Sequence, residues 1–100
     1  MADWQLSSAA NADIEEIARY TAANFGERQA RKYTGEIRRA IQIAADFPFL
    51  ARPHTTESGA SYQRYNIGRH AIFYRETEQG IYVIRILHGA MDFDRHLDPG

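Results

Sequence analysis

The chain has 100 residues, of which 44% are hydrophobic, enough for one folded domain around one core. It has no cysteine, which excludes disulfides and thiolate metal sites and sets the cytoplasm as the expected compartment. A net charge of −1 argues against a protein that grips nucleic acid on its own through phosphates.

The opening stretch "MADWQLSSAANAD" lacks the basic start and apolar run of a signal peptide, and no segment has the length of a membrane helix. Asp3 to Leu6 alternate polar and apolar, which predicts a short first strand. Ser7 and Ser8 offer cap oxygens for a helix. Ile14, Ile17, Ala18, Thr21 and Phe25 then share one helical face, and Gly26 is placed to end that helix in a left-handed conformation. Asp13, Glu15 and Glu16 lie near its start, where the dipole favours negative charge. A second helix is predicted from about Glu27 to Asp46, with Ala30, Tyr33, Ile37, Ala40, Ile41 and Ala44 as its apolar stripe. Gly35 weakens it, and close packing against the first helix is the expected reason. Phe47-Pro48 stops it. The short connection predicts an antiparallel helical hairpin.

Residues 48 to 60 read as a loop by composition. Three strands follow: Ser61 to Ile67, His70 to Arg75 and Ile81 to Leu87. Gly68-Arg69 between the first two suits a type II′ turn, and "ETEQG" joins the next two, giving an antiparallel meander. In an unbroken last strand, Tyr82, Ile84 and Ile86 point one way, and Ile81, Val83, Arg85 and Leu87 the other. An exposed row of Ile81, Val83 and Leu87 is sticky, which predicts a partner surface unless the chain's own tail covers it. Met91 to Leu97 is expected to form one helical turn capped by Asp92. The order is β-α-α-β-β-β: one α+β domain over residues 1–100, in two layers, with a helical hairpin packed on an antiparallel sheet.

Four stretches, in order, carry a family resemblance. "LSSAANADIEEIARYTAANFG" and "ERQARKYTGEIRRAIQIAADFP" are similar to the two helices of the ParE branch of the RelE/ParE toxin superfamily. "YNIGRHAIFYR" resembles its central hairpin, and "IYVIRILHGAMDFDRHL" its ending. The resemblance implies the toxin of a type II toxin–antitoxin pair, held inactive in a hetero-oligomer by a small ParD-like antitoxin. It implies inhibition of DNA gyrase by binding, with no reaction, cofactor or metal of its own. RelE-type relatives share the fold but cleave mRNA on the ribosome, so that activity is the alternative.

The ending is the most polar stretch. A nuclease needs a cation at the scissile phosphate and a group to move protons. Arg85 and His88 are the sharpest such pair, but strand parity sends them to opposite faces unless the chain bends at Gly89. His88, Asp92 and His96 recur every four residues, yet Gly89 interrupts the helix that a shared metal would need. Arg69 at a turn tip reads as a solvated charge, while Tyr33, Tyr65 and Trp4 read as core edge. The function is therefore expected in surfaces. Ile81, Val83 and Arg85 are the expected antitoxin contact, and His88, Met91, Asp92, Arg95 and His96 the candidate target contact.

Overall fold

A computed structural model describes residues 1–97 of the chain. Strand β1 (Asp3–Leu6) leads into helix α1 (Ser8–Phe25), then helix α2 (Glu27–Asp46) and a single 3₁₀ turn (Pro48–Leu50). Strands β2 (Arg52–Thr55), β3 (Ser61–Ile67), β4 (His70–Glu76) and β5 (Gly80–His88) follow, and a short helix α3 (Phe93–Leu97) ends the described chain. The Ser7 side chain caps α1 by accepting from the Ala10 N–H, as the sequence predicts. Gly26 separates the helices at φ +91°, ψ 161°, a conformation open to glycine but extended rather than left-handed helical. Gly68 leads the β3–β4 turn at φ +56°, and among the described residues no non-glycine residue has a positive φ, which fits a type II′ turn. Gly35 does not serve close helix packing: nothing lies within 4 Å of where its Cβ would be.

The architecture is the expected α+β one, a helical hairpin on a sheet. Two features extend it. The 48–60 segment contains β2, so the sheet has five strands in the order β1-β5-β4-β3-β2. The sheet is also mixed: β1 pairs parallel to β5, with Asp3 opposite Gly80 and Leu6 opposite Val83, while the other pairings are antiparallel.

The main core lies between hairpin and sheet. Ile14 and Ile17 of α1 and Ile37 and Ile41 of α2 meet Ile72, Tyr74, Ile81, Val83 and Ile86. Each fully buried isoleucine contributes roughly 1.5–3 kcal/mol. A second, smaller core lies on the opposite face, where Tyr62, Ala71, Phe73 and Leu87 are covered by Leu97 and Phe93. The tail is tied down there by Tyr62, which donates to the Leu97 carbonyl at 3.2 Å, and by His54 against Asp94 at 3.0 Å.

This arrangement corrects the expected parity of β5. The β4–β5 register slips between Phe73 and Tyr74: Val83 faces Tyr74, but Arg85, not Ile84, faces Phe73. Ile84 is the extra residue of a β-bulge. Ile81, Val83 and Ile86 therefore share the helix-facing core, and Leu87 lies in the opposite one.

Candidate functional site

Beyond Leu6 the outer edge of β5 loses its strand partner, and α1 takes over. The Ser7 N–H donates to the Val83 carbonyl, and the Ser7 hydroxyl donates to that of Ile84. One turn further, Asp13 accepts from the Ile86 N–H at 2.9 Å. Its two oxygens also take the Nε and Nη2 of Arg85, each at 2.8 Å. This bidentate pair is mostly shielded, with side chains 14% and 24% exposed. Asp13 holds the Arg85 guanidinium even further above its ordinary pKa, against the opposing effect of burial. Arg85 also reaches the His96 carbonyl at 3.4 Å, so it links the first helix to the tail.

A groove of about 890 Å³ opens between α1, the β3–β4 turn and the end of β5. Ile17, Tyr20, Phe25 and Met91 give it apolar walls. Tyr20, Phe25 and Met91 are 63%, 68% and 45% exposed, so the groove carries more apolar surface than packing requires.

Its floor is aromatic and polar. Register places His70 opposite His88, and the rings meet edge to face with centroids 5.3 Å apart. The Tyr33 hydroxyl, from α2, lies 2.6 Å from His70 Nδ1. The Ala90 N–H donates to His88 Nδ1 at 3.1 Å. Burial, and then the charge of His88, push the His70 pKa below its ordinary value, while Asp13 opposes the shift. Burial pushes the Tyr33 phenol up, so it stays protonated. Gly68 is favoured here by its φ of +56°, and a Cβ would also sit 2.8 Å from the Tyr33 hydroxyl, which would have to shift.

The residues expected as sites separate into four groups. Ile81 and Val83 are 2% and 0% exposed, so they are core and offer no antitoxin surface. Their apolar row faces the hairpin rather than solvent, because β5 is the central contact of that core. Arg85 is half-buried and spent on Asp13, so it is not free to hold a phosphate beside His88. His88 and Met91 both line the groove. Asp92, Arg95 and His96 are exposed outside it, and Asp92 accepts weakly from the Arg95 N–H at 3.5 Å. Among the described residues, no group of three His, Asp or Glu side chains is placed to hold a metal ion.

A family model described as the ParE toxin of the type II toxin–antitoxin system parDE matches residues 5–93. The chain belongs to the ParE toxin family. It is 42% identical over 93 residues to Toxin ParE1 of Mycobacterium tuberculosis, covering 92% of this chain and 94% of that one. It is 33% identical over 97 residues to Toxin ParE1 of Caulobacter vibrioides, covering 97% and 99%. The solved chromosomal ParDE TA system from P. aeruginosa contains a chain of the same fold. That match has a TM-score of 0.69 at 14% identity and covers 88% of this chain and 96% of the other.

In this ParE-family chain, the sequence reading missed the groove's main polar residues. Asp13 reads as one of several carboxylates near a helix start, and nothing local marks it as the partner of Arg85, 72 positions away. Tyr33 reads as core edge, though its hydroxyl anchors His70. His70 carries one usable signal. The tight turn at Gly68-Arg69 fixes it as the first residue of β4, and the next hairpin returns β5 to it at His88.

Proposed function

We propose that the chain is the toxin of a type II toxin–antitoxin pair that acts by binding DNA gyrase, with no reaction of its own. Membership in the ParE family over residues 5–93 carries this reading. The local chemistry supports it. The arginine that a nuclease would need at a phosphate is neutralised by Asp13 on two hydrogen bonds. A ParD-like antitoxin, encoded beside the toxin, would lay an amphipathic helix in the groove against Tyr20, Phe25 and Met91. His88 and Met91 belong both to the groove and to the candidate target surface that continues through Asp92, Arg95 and His96. Neutralisation would then follow by occlusion: the antitoxin covers part of what the target must touch. Toxin and antitoxin would form a hetero-oligomer in the cytoplasm, where gyrase works. No helix in the described residues is long and apolar enough to cross a membrane.

The test is induction without antitoxin, followed by a gyrase supercoiling assay and mapping of mRNA ends. Loss of supercoiling with intact transcripts is the expected result. Codon-linked cleavage with normal supercoiling would replace this reading with the RelE-type mRNA endonuclease.

A further inference from the structure

The two groove histidines have their Nδ1 atoms committed. A backbone N–H can only donate, so His88 Nδ1, which receives Ala90 N–H, carries no proton in the neutral ring. The Tyr33 hydroxyl donates to the Ile67 carbonyl at 3.4 Å and pairs with His70 Nδ1 at 2.6 Å, a contact in which either the phenol or the ring can supply the proton. The neutral His88 ring carries its proton on Nε2, and His70 braces that ring edge to face. Neither Nε2 has a partner among the described residues, and both side chains line the groove. Arg69 lines it beside them, exposed and without an ion pair among the described residues. The groove's own carboxylates are already compensated: Asp13 by Arg85 and Ile86, Glu16 by Arg19 at 2.6 Å.

We propose that His70, His88 and Arg69 form a seat for one carboxylate of the antitoxin helix, at the polar end of the groove. The His88 Nε2–H and the Arg69 guanidinium ask for a charged acceptor, with His70 lining the groove beside them. The same His88 tautomer argues against a metal. A histidine that binds a metal through Nε2 keeps its proton on Nδ1 and donates it. Here His88 Nδ1 faces an obligate donor, so metal binding would set N–H against N–H at that ring. A carboxylate fits better than a nucleic-acid phosphate, because apolar Ile17, Tyr20 and Phe25 line the same groove, as suits one acid on an otherwise apolar helix face. The seat rests on the reading of the groove as the antitoxin's site. It adds the specificity element, a single acid in register with apolar anchors.

The full chain, ¹⁵N-labelled at histidine, tests the seat by NMR with sodium acetate, sodium phosphate and zinc chloride added separately. His88 should show protonated Nε2 and bare Nδ1. Acetate should shift both Nε2 signals saturably, leaving His54 and His96 as unmoved controls. His88→Leu should abolish the acetate response, and His88→Gln, which keeps a donor near the Nε2 position, should restore much of it. Thermal melts confirm that each variant is folded. The Nδ1–H tautomer at His88, zinc binding at these rings, or a response to phosphate without one to acetate would each overturn the seat. Binding of the antitoxin encoded beside the chain then separates the two readings. His88→Leu should weaken it about tenfold, within the range for a hydrogen bond to a charged group. If Phe25→Ser weakens the antitoxin and His88→Leu does not, the seat fails and the groove stands. If neither substitution matters, the groove reading fails with it.

Discussion

Asp13 uses one carboxylate to bind the Arg85 guanidinium twice and the Ile86 N–H once. Removing it leaves a half-buried cation with only its 3.4 Å contact to the His96 carbonyl, and leaves the Ile86 N–H without its acceptor. Asp13→Ala should therefore cost about 2–3 kcal/mol in urea unfolding. Asp13→Asn, which keeps an acceptor for Ile86, should recover part of that loss. An unchanged urea midpoint for Asp13→Ala would show the clamp to be idle. His70 gives a pH signature at the same scale. Burial and the neighbouring His88 lower its pKa from the ordinary value of about 6.5, against the pull of Asp13. The unfolded chain then takes up this proton at a higher pH than the fold does. The stability this contributes is fully present above the ordinary value and is lost as pH falls through the depressed one. Urea midpoints at pH 8 and pH 5 should differ more for the native chain than for His70→Gln. Equal differences would mean that His70 does not titrate against the fold.

Among the elements, β1 is the most tightly specified by a single residue. A Cβ on Gly80 would fall 1.7 Å from the Asp3 carbonyl oxygen, where neither backbone can give. Gly80→Ala should therefore pull β1 off β5, cost more than about 2 kcal/mol, and speed hydrogen exchange at Gln5 and Leu6. Exchange in β3 and β4 should remain slow. The two long helices and the β3–β4–β5 meander were legible in the sequence, because periodicity and local turn chemistry determine them. What pairs with β1 was not, since a parallel neighbour 77 residues on leaves no local mark. The bulge at Ile84 was equally silent: no glycine or proline announces it, and one slipped residue was enough to reverse the faces assigned to Arg85 and its neighbours. β2 was hidden by Pro53, which argues against a strand except at a sheet edge, and that is where β2 lies. The groove was illegible for a related reason. Its walls are brought together by long-range bonds, from Asp13 of α1 to Arg85 and Ile86 of β5 and from Tyr33 of α2 to His70, while its histidines each look ordinary alone.

On the scale of the whole molecule, the sheet is covered twice: by the hairpin on one face and by the tail on the other. This decides how the candidate target surface can be tested. Deleting the chain from Met91 onward would remove Phe93 and Leu97 from over Phe73 and Leu87, and would strip the Leu97 carbonyl from Tyr62. The truncated chain should bind a hydrophobic dye and melt several degrees lower, at about 4–8 °C per kcal/mol lost for a domain of this size. Its failure to inhibit gyrase would then report a damaged fold rather than a lost contact. Substitutions on the outward side avoid that ambiguity. Met91 is 45% exposed, and Arg95 is exposed without an ion pair among the described residues. Met91→Ser and Arg95→Glu should leave the melting temperature within about 2 °C, since surface changes away from packed or paired groups stay near 0.5 kcal/mol. If this surface meets the target, the same two variants should weaken gyrase inhibition, Arg95→Glu more strongly, because charge reversal adds repulsion to the lost contact. Native melting together with full inhibition in both variants would move the target contact to another part of the molecule.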